Sequence, residues 1–342
     1  MKKVSKLIIA CTLVISLCFS GTANVFAADA APIQATEQNA DSILLAHGFN
    51  EDDVDLIEMD KKIEIASALL INPDLVQKSA SVSEIDELTD IERFVNTSEE
   101  TLLESGMKQE DIDSANNLIQ NWKASSDEEL MERYDRDQVE IKMLRMACEP
   151  TEDYTDKEVT STPVTSSGSI SSSKLYFSTT ATKQKFCGRA RYRVVNSFKW
   201  KSLPFVDFLT DEIVNAWGGS MWTSNYSSKL VYAYGNINMP GVKTKTYTAH
   251  YEEGPINAGF RFWTHQAQGD LITGLNYHQL WKGSASLLLT TNGNCKNKDT
   301  KILAQYGHHT IGWSGVSISK SPSISFGTGW DYSDQVILPA KY

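Results

Sequence analysis

Cysteine is scarce in this 342-residue chain. Of five, Cys11 and Cys18 fall in an N-terminal leader, which leaves Cys148, Cys187 and Cys295. An odd set of three permits one disulfide in an exported chain. Cys187 with Cys295 is the preferred pair because both lie in the later half, and Cys148 then stays a thiol or pairs with another chain. Carboxylates are also scarce after residue 160, where only nine occur. A glycosidase needs two at a set separation, and Glu252 or Glu253 with Asp270 or Asp331 could supply them only as any domain could. Zinc needs three or four convergent ligands at a recognisable spacing. The six histidines offer no His-Glu-x-x-His, and His308-His309, adjacent on a strand, would face opposite sides. Gly312-Trp313-Ser314-Gly315-Val316 has Val where a nucleophile elbow needs Gly. No cofactor, metal or nucleic-acid partner is expected.

What is present begins with a leader. Lys2, Lys3 and Lys6 precede the apolar run Leu7–Phe19, and Val25-Phe26-Ala27 offers a cleavage site after Ala27. The run is too short, and too quickly broken by Ser20, Gly21, Thr22 and Asn24, to span a bilayer. Residues 1–27 are expected to be a secretory signal peptide, and the protein extracellular.

Net charge is −11, but the sign is divided along the chain. Residues 29–160 carry 34 acidic and 11 basic side chains, and residues 161–342 carry 9 acidic and 18 basic. Seven of the eight Trp follow residue 170. Bodies of opposite sign on one chain attract, so the acidic part reads in one of two ways: as a solvated helical surface that keeps the chain soluble, or as a body that docks on the basic part and masks it.

The acidic part repeats. Leu44-Leu45-Ala46-His47-Gly48-Phe49 followed by Glu51-Asp52-Asp53-Val54-Asp55 recurs 58 residues later as Leu102-Leu103-Glu104-Ser105-Gly106-Met107 followed by Gln109-Glu110-Asp111-Ile112-Asp113. The pattern predicts a helix, a left-handed Gly corner, and a second helix whose first turn holds carboxylates favoured by the dipole. Phe49 and Met107 can fold onto the leucines and staple onto Val54 and Ile112. Asn50–Asp55 lacks the central Gly and terminal Glu of a calcium loop. Thr97 with Glu100 and Ser126 with Glu129 read as capping boxes. A small helical bundle is expected over 38–147.

Residues 148–173 lose periodicity and turn rich in Ser and Thr, the composition of a linker. From 174 to 342 the period becomes two, with turn residues between runs, which predicts an antiparallel β-sandwich. Thr210 marks the one exception, a candidate cap for a short helix or turn over Asp211–Trp217. The fold class is therefore α+β as separate domains. This layout resembles a group of secreted proteins of Gram-positive bacteria with acidic Leu-Leu-x-x-Gly helical units ahead of a Trp- and Ser-rich β domain. The resemblance rests on the two repeats, on Thr210–Gly218, on Tyr306-Gly307-His308-His309 and on Val316-Ser317-Ile318-Ser319. It implies export and layout, and assigns no catalytic residue.

Three functions are compatible with these observations. The first is a secreted non-catalytic interaction protein whose basic, aromatic β domain binds a cell-wall polymer, a glycan or an anionic membrane surface, with Trp222 and Trp313 as candidate contact residues. The second is a membrane-active, pore-forming toxin-like protein, in which Ser314–Ser325, alternating Ser with Val or Ile, would rearrange into a barrel. The third is a hydrolase with a helical prosegment.

Overall fold

The two Gly corners organise the acidic half, and both adopt the left-handed backbone expected of them, with φ of 83° at Gly48 and 97° at Gly106. In this computed structural model, the described residues are 34–342 except 86, 152–172, 187–188, 207–208, 220, 235–236, 238–240, 254–258, 269–276, 292–297, 311–315, 319–321, 327–329 and 342. The leader at 1–27 and most of the linker at 148–173 lie outside them. At the first corner, α1 (Ala40–Ala46) ends with Phe49 N donating to Leu44 O at 3.1 Å, and α2 (Glu51–Leu56) begins with the Asn50 side chain accepting from Asp53 N. A third helix, α3 (Met59–Ile71), completes this first group. Leu44, Phe49 and Val54 meet in its apolar cluster.

The second corner repeats the geometry. It joins α5 (Glu99–Glu104) to α6 (Gln109–Ala124), with Met107 N on Leu102 O at 3.1 Å. The helix α4 (Leu88–Asn96) precedes it, and α7 (Asp127–Tyr134) and α8 (Gln138–Ala147) follow. Ser126 and Glu129 form the expected capping box. At α5 the cap is Ser98, accepting from Thr101 N, rather than Thr97. Thr97 instead donates its hydroxyl to Arg93 O at the end of α4.

Between the two helical groups lies a strand the helical reading did not anticipate, β1 (Val76–Ile85). Its Ser-rich sequence carries little strand signal of its own. It forms because β2 (Ser173–Phe186) pairs along its whole length, from Val76 opposite Thr182 to Ile85 opposite Ser173. Residue 148 therefore does not divide two separate bodies: Ala35–Tyr342 form one compact unit. The chain is α+β, with helices in the N-terminal half and antiparallel sheets in the C-terminal part.

Sheet A joins β1, β2, β3 (Arg189–Ser202), β10 (His278–Thr291), β5 (Met221–Ala233) and β6 (Thr244–Tyr247) in that order, with β9 (Ala267–Gln268) beside β10. Sheet B runs β14 (Trp330–Tyr332), β11 (Asp299–His309), β4 (Thr210–Trp217), β8 (Gly259–His265) and β7 (His250–Glu253), with β15 (Val336–Lys341) on β11. A short hairpin, β12 (Val316–Ile318) and β13 (Ile324–Phe326), stands apart. Phe177, Phe198 and Trp200 of sheet A share one apolar core with Ile213, Phe260 and Tyr306 of sheet B.

The expected helix at Asp211–Trp217 is instead β4. It sits between β11 and β8 and is buried along its length. Ile213, Asn215 and Trp217 face the core, while Val214 and Ala216 face a second apolar cluster on the other side. A strand covered on both faces lacks the polar alternation that marks a half-buried one.

Candidate functional site

Two features of sheet B stand out. The first is a closed ionic network around His308. His308 on β11 lies directly opposite Asp211 on β4, and its Nδ1 is 2.7 Å from Asp211 Oδ1. Its Nε2 is 3.4 Å from Glu87 Oε1, at the start of α4. Glu87 in turn accepts from Phe205 N at 2.8 Å, Val206 N at 2.7 Å and Ser173 Oγ at 2.9 Å. Tyr306 donates its hydroxyl to Asp211, and Trp200 Nε1 donates to the Tyr306 oxygen at 3.3 Å. Thr310 donates to Asp90.

Glu87, Asp211 and His308 have at most 2% of their surface exposed. Burial alone would lower the His308 pKa, but the Asp211 and Glu87 carboxylates more than offset it and raise the pKa to about 10. The ring is therefore an imidazolium at neutral pH, donating from both nitrogens. Closed to solvent, the network ties the second helical group to sheet B.

The second feature is the hairpin on the outer face of sheet B. Ile324, with Ile318 and Phe326 beside it, packs on Val214, Ala216 and Leu303. Ser325, between two apolar residues, is exposed. Glycines on the sheet make room for these side chains. A Cβ at Gly259 would stand 2.6 Å from Ile318 Cγ2, and one at Gly307 would overlap the Phe326 ring. Phe326 also lies 5.5 Å from the rings of Trp330 and Tyr332. The hairpin thus rests in sockets cut to its side chains. Beside it, Glu212 is held 3.4 Å from Arg261. Burial pushes the Glu212 carboxyl up to about 7, against the pull of Arg261.

The residues singled out in the sequence scatter. Trp222 is 38% exposed but sits on β5, opposite Thr290, not in a loop. Trp313, Cys187 and Cys295 lie outside the described residues. Cys148 is a buried thiol whose pKa burial pushes up to about 12, so it is a poor nucleophile. His309 points away from His308 and stacks on Trp330 at 4.6 Å. Among the described residues no His, Cys, Asp and Glu group of three or more is placed to hold a metal. No described helix is long and apolar enough to cross a membrane. Sequence reasoning missed Glu87, which sits 221 residues from its partner His308.

No protein-family model and no curated protein matches the chain. Among solved structures, one titled "Pore forming protein" aligns over 49% of this chain and 87% of its own length, at 10% identity and a TM-score of 0.23. A likeness that slight carries no argument, and the functional reading rests on the hairpin and its sockets.

Proposed function

We propose that this chain is a non-catalytic, membrane-active protein of the pore-forming kind, exported through the leader at 1–27. The β12–β13 hairpin leaves sheet B and turns its apolar row to lipid. The observation that carries the reading is the hairpin's seat: Ile318, Ile324 and Phe326 lie against sheet B while Ser325 is exposed, and the pair is held in glycine sockets rather than built into a sheet. In the sequence 316–326 the apolar residues Val316, Ile318, Ile324 and Phe326 alternate with Ser317, Ser319, Ser323 and Ser325. One apolar and one hydroxyl face suits a strand where one side meets lipid and the other water. To cross a bilayer, each three-residue strand would extend into its flanking residues, toward the length of about 9–11 residues that a crossing takes. The two sheets, sharing one core, are read as the layers of an antiparallel sandwich that stays folded while the hairpin moves.

Dye release from liposomes tests this. The pair Gly259→Cys and Ile318→Cys is suited to a bridging disulfide, because a Cβ at 259 would stand 2.6 Å from the Ile318 Cγ2 position that a sulfur would take, with Asn215 O 2.9 Å away giving slightly to admit it. The oxidised double variant is expected to lose release, and reduction is expected to restore it. Equal release from the oxidised and reduced forms would sink the reading. Gly307→Val tests the opposite direction. Its side chain occupies the space of the Phe326 ring, so the hairpin is expected to loosen. Release should then accelerate about tenfold, the effect of some 1.4 kcal/mol on the closed state. A companion measurement, protease cleavage between 316 and 326, should rise in the same variant.

A further inference from the structure

We propose that the outer face of sheet A is a docking surface for anionic lipid headgroups, covered in this conformation by helices α1–α3 acting as an acidic cap. The inference rests on the membrane-active reading and names the surface on which that protein would settle.

The two faces of sheet A differ in kind. Inward, Phe177, Phe198, Val194 and Leu287 fill the core. The pairing registers place a different set together on the other face. Tyr176, Lys199 and Lys282 form one row, Ser178, Ser197, Ser284 and Lys229 the next, then Lys78, Thr180, Val195, Ser286 and Ser227, and then Thr182 with Arg193. This is a broad strand surface of hydroxyls and five cations. Lys199 and Lys282 lie directly opposite one another, an arrangement that repels unless an anion bridges it.

The cap supplies those anions. Asp52 pairs with Lys199. Asp53 accepts from Tyr176 Oη at 2.6 Å and Ser178 Oγ at 2.5 Å, and meets Lys78 Nζ at 2.6 Å. Glu58 accepts from Ser227 Oγ at 2.8 Å. Glu64 meets Arg193 Nε at 3.3 Å and accepts from Gln184. Asp52 and Asp55 also act electrostatically on Lys282. Each carboxylate stands where a lipid phosphate or carboxylate would be bound by the same donors.

The cap is also built to separate. Its apolar cluster joins Ala40, Leu44, Phe49, Ile65, Leu69 and their neighbours, and among the described residues Val195 is the one buried sheet residue in it, with Val76 packed at its margin. The second helical group is different, since it shares Phe205, Val206 and Leu209 with the β part. The cap therefore keeps its own core when it lifts, and apart from the Val195 contact what it loses is a set of ion pairs and hydrogen bonds that headgroups can replace. A face of several strands suits a surface better than a small ligand, and its charge selects an anionic one.

Co-sedimentation of the full chain with vesicles of phosphatidylcholine, with or without phosphatidylglycerol, tests the proposal. The triple variant Asp52→Asn, Glu58→Gln, Glu64→Gln loosens the cap and should bind phosphatidylglycerol vesicles about tenfold more tightly than wild type, as expected when one or two cations become available. Binding to phosphatidylcholine alone should not change. Adding Arg193→Gln, Lys199→Gln and Lys282→Gln should remove the gain. No gain in the triple variant, an equal gain on phosphatidylcholine, or a gain that survives loss of the cations would each overturn it. If the triple variant loses its near-ultraviolet circular dichroism, carboxylate labelling of the wild type decides: phosphatidylglycerol vesicles should raise carbodiimide labelling of Asp52, Asp53 and Glu64, which face sheet A, while buried Glu87 stays unlabelled, and unchanged labelling of those three overturns the proposal. Binding without dye release keeps this surface and sinks hairpin insertion. Release that ignores both phosphatidylglycerol and these cations does the reverse.

Discussion

Replacing Glu87 with alanine is expected to lower the unfolding free energy by about 3–5 kcal/mol, the cost of breaking a buried ion pair by removing one partner. Glu87 holds the Phe205 and Val206 amides, the Ser173 hydroxyl and the His308 ring at once. Alanine leaves all four donors buried without that acceptor, and an orphaned buried donor costs more than an average hydrogen bond gains. Against a typical total of about 5–15 kcal/mol, the loss is large. It corresponds to a fall in Tm on the order of 10 °C. Urea and thermal unfolding measure it directly. Glu87→Gln keeps one acceptor oxygen and should lose less. A cost below about 1 kcal/mol for the alanine variant would mean that solvent reaches the network and that the helices are tied to sheet B by apolar packing alone.

Alkaline pH should undo the same network from the other side. The folded-state pKa of His308 is raised to about 10 from an ordinary value of 6.5, because Asp211 and Glu87 more than offset the penalty of burial. The folded state therefore holds a proton that the unfolded chain releases between pH 6.5 and 10. Stability from this group is complete below about pH 6.5 and is lost progressively as the pH rises through 10. His308→Gln lacks that titration. It should be clearly less stable than wild type at pH 6, and the two stability curves should converge as the pH approaches 10. Lysine and tyrosine titrations elsewhere are common to both chains and cancel in the difference. Parallel curves would show that His308 is not the imidazolium clamp described here. The Tyr306 hydroxyl on Asp211 contributes to the clamp but does not blur this window, since its own pKa is raised well above 10 by burial and by Asp211.

How much was legible depended on whether the cause was local. The Leu-Leu-x-x-Gly corners could be read because a left-handed residue, a folded-back apolar side chain and an acidic first turn are all specified within twelve residues. Ser126 with Glu129 was legible for the same reason. The strand β1 was not, since Val76–Ile85 owes its conformation to β2, about a hundred residues away. The strand β4 was misread because burial on both faces erased its alternation. In the hairpin, Ser and apolar residues alternate visibly, but nothing nearby in the chain announces that Gly259 and Gly307 leave space for Ile318 and Phe326.

By itself the sequence determined the divided charge, the helical units with their glycine turns, the period-two strands and the alternation of serine with apolar residues over 316–326. These follow from periodicity, capping and backbone freedom, which act over a few residues. Tertiary structure alone decided that acidic helices lie across a hydroxyl and lysine face, that His308 is clamped between Asp211 and Glu87, and that the hairpin is seated on sheet B. Each of those depends on which distant groups are brought together out of water, where charge and shape must match across folded surfaces rather than along the chain.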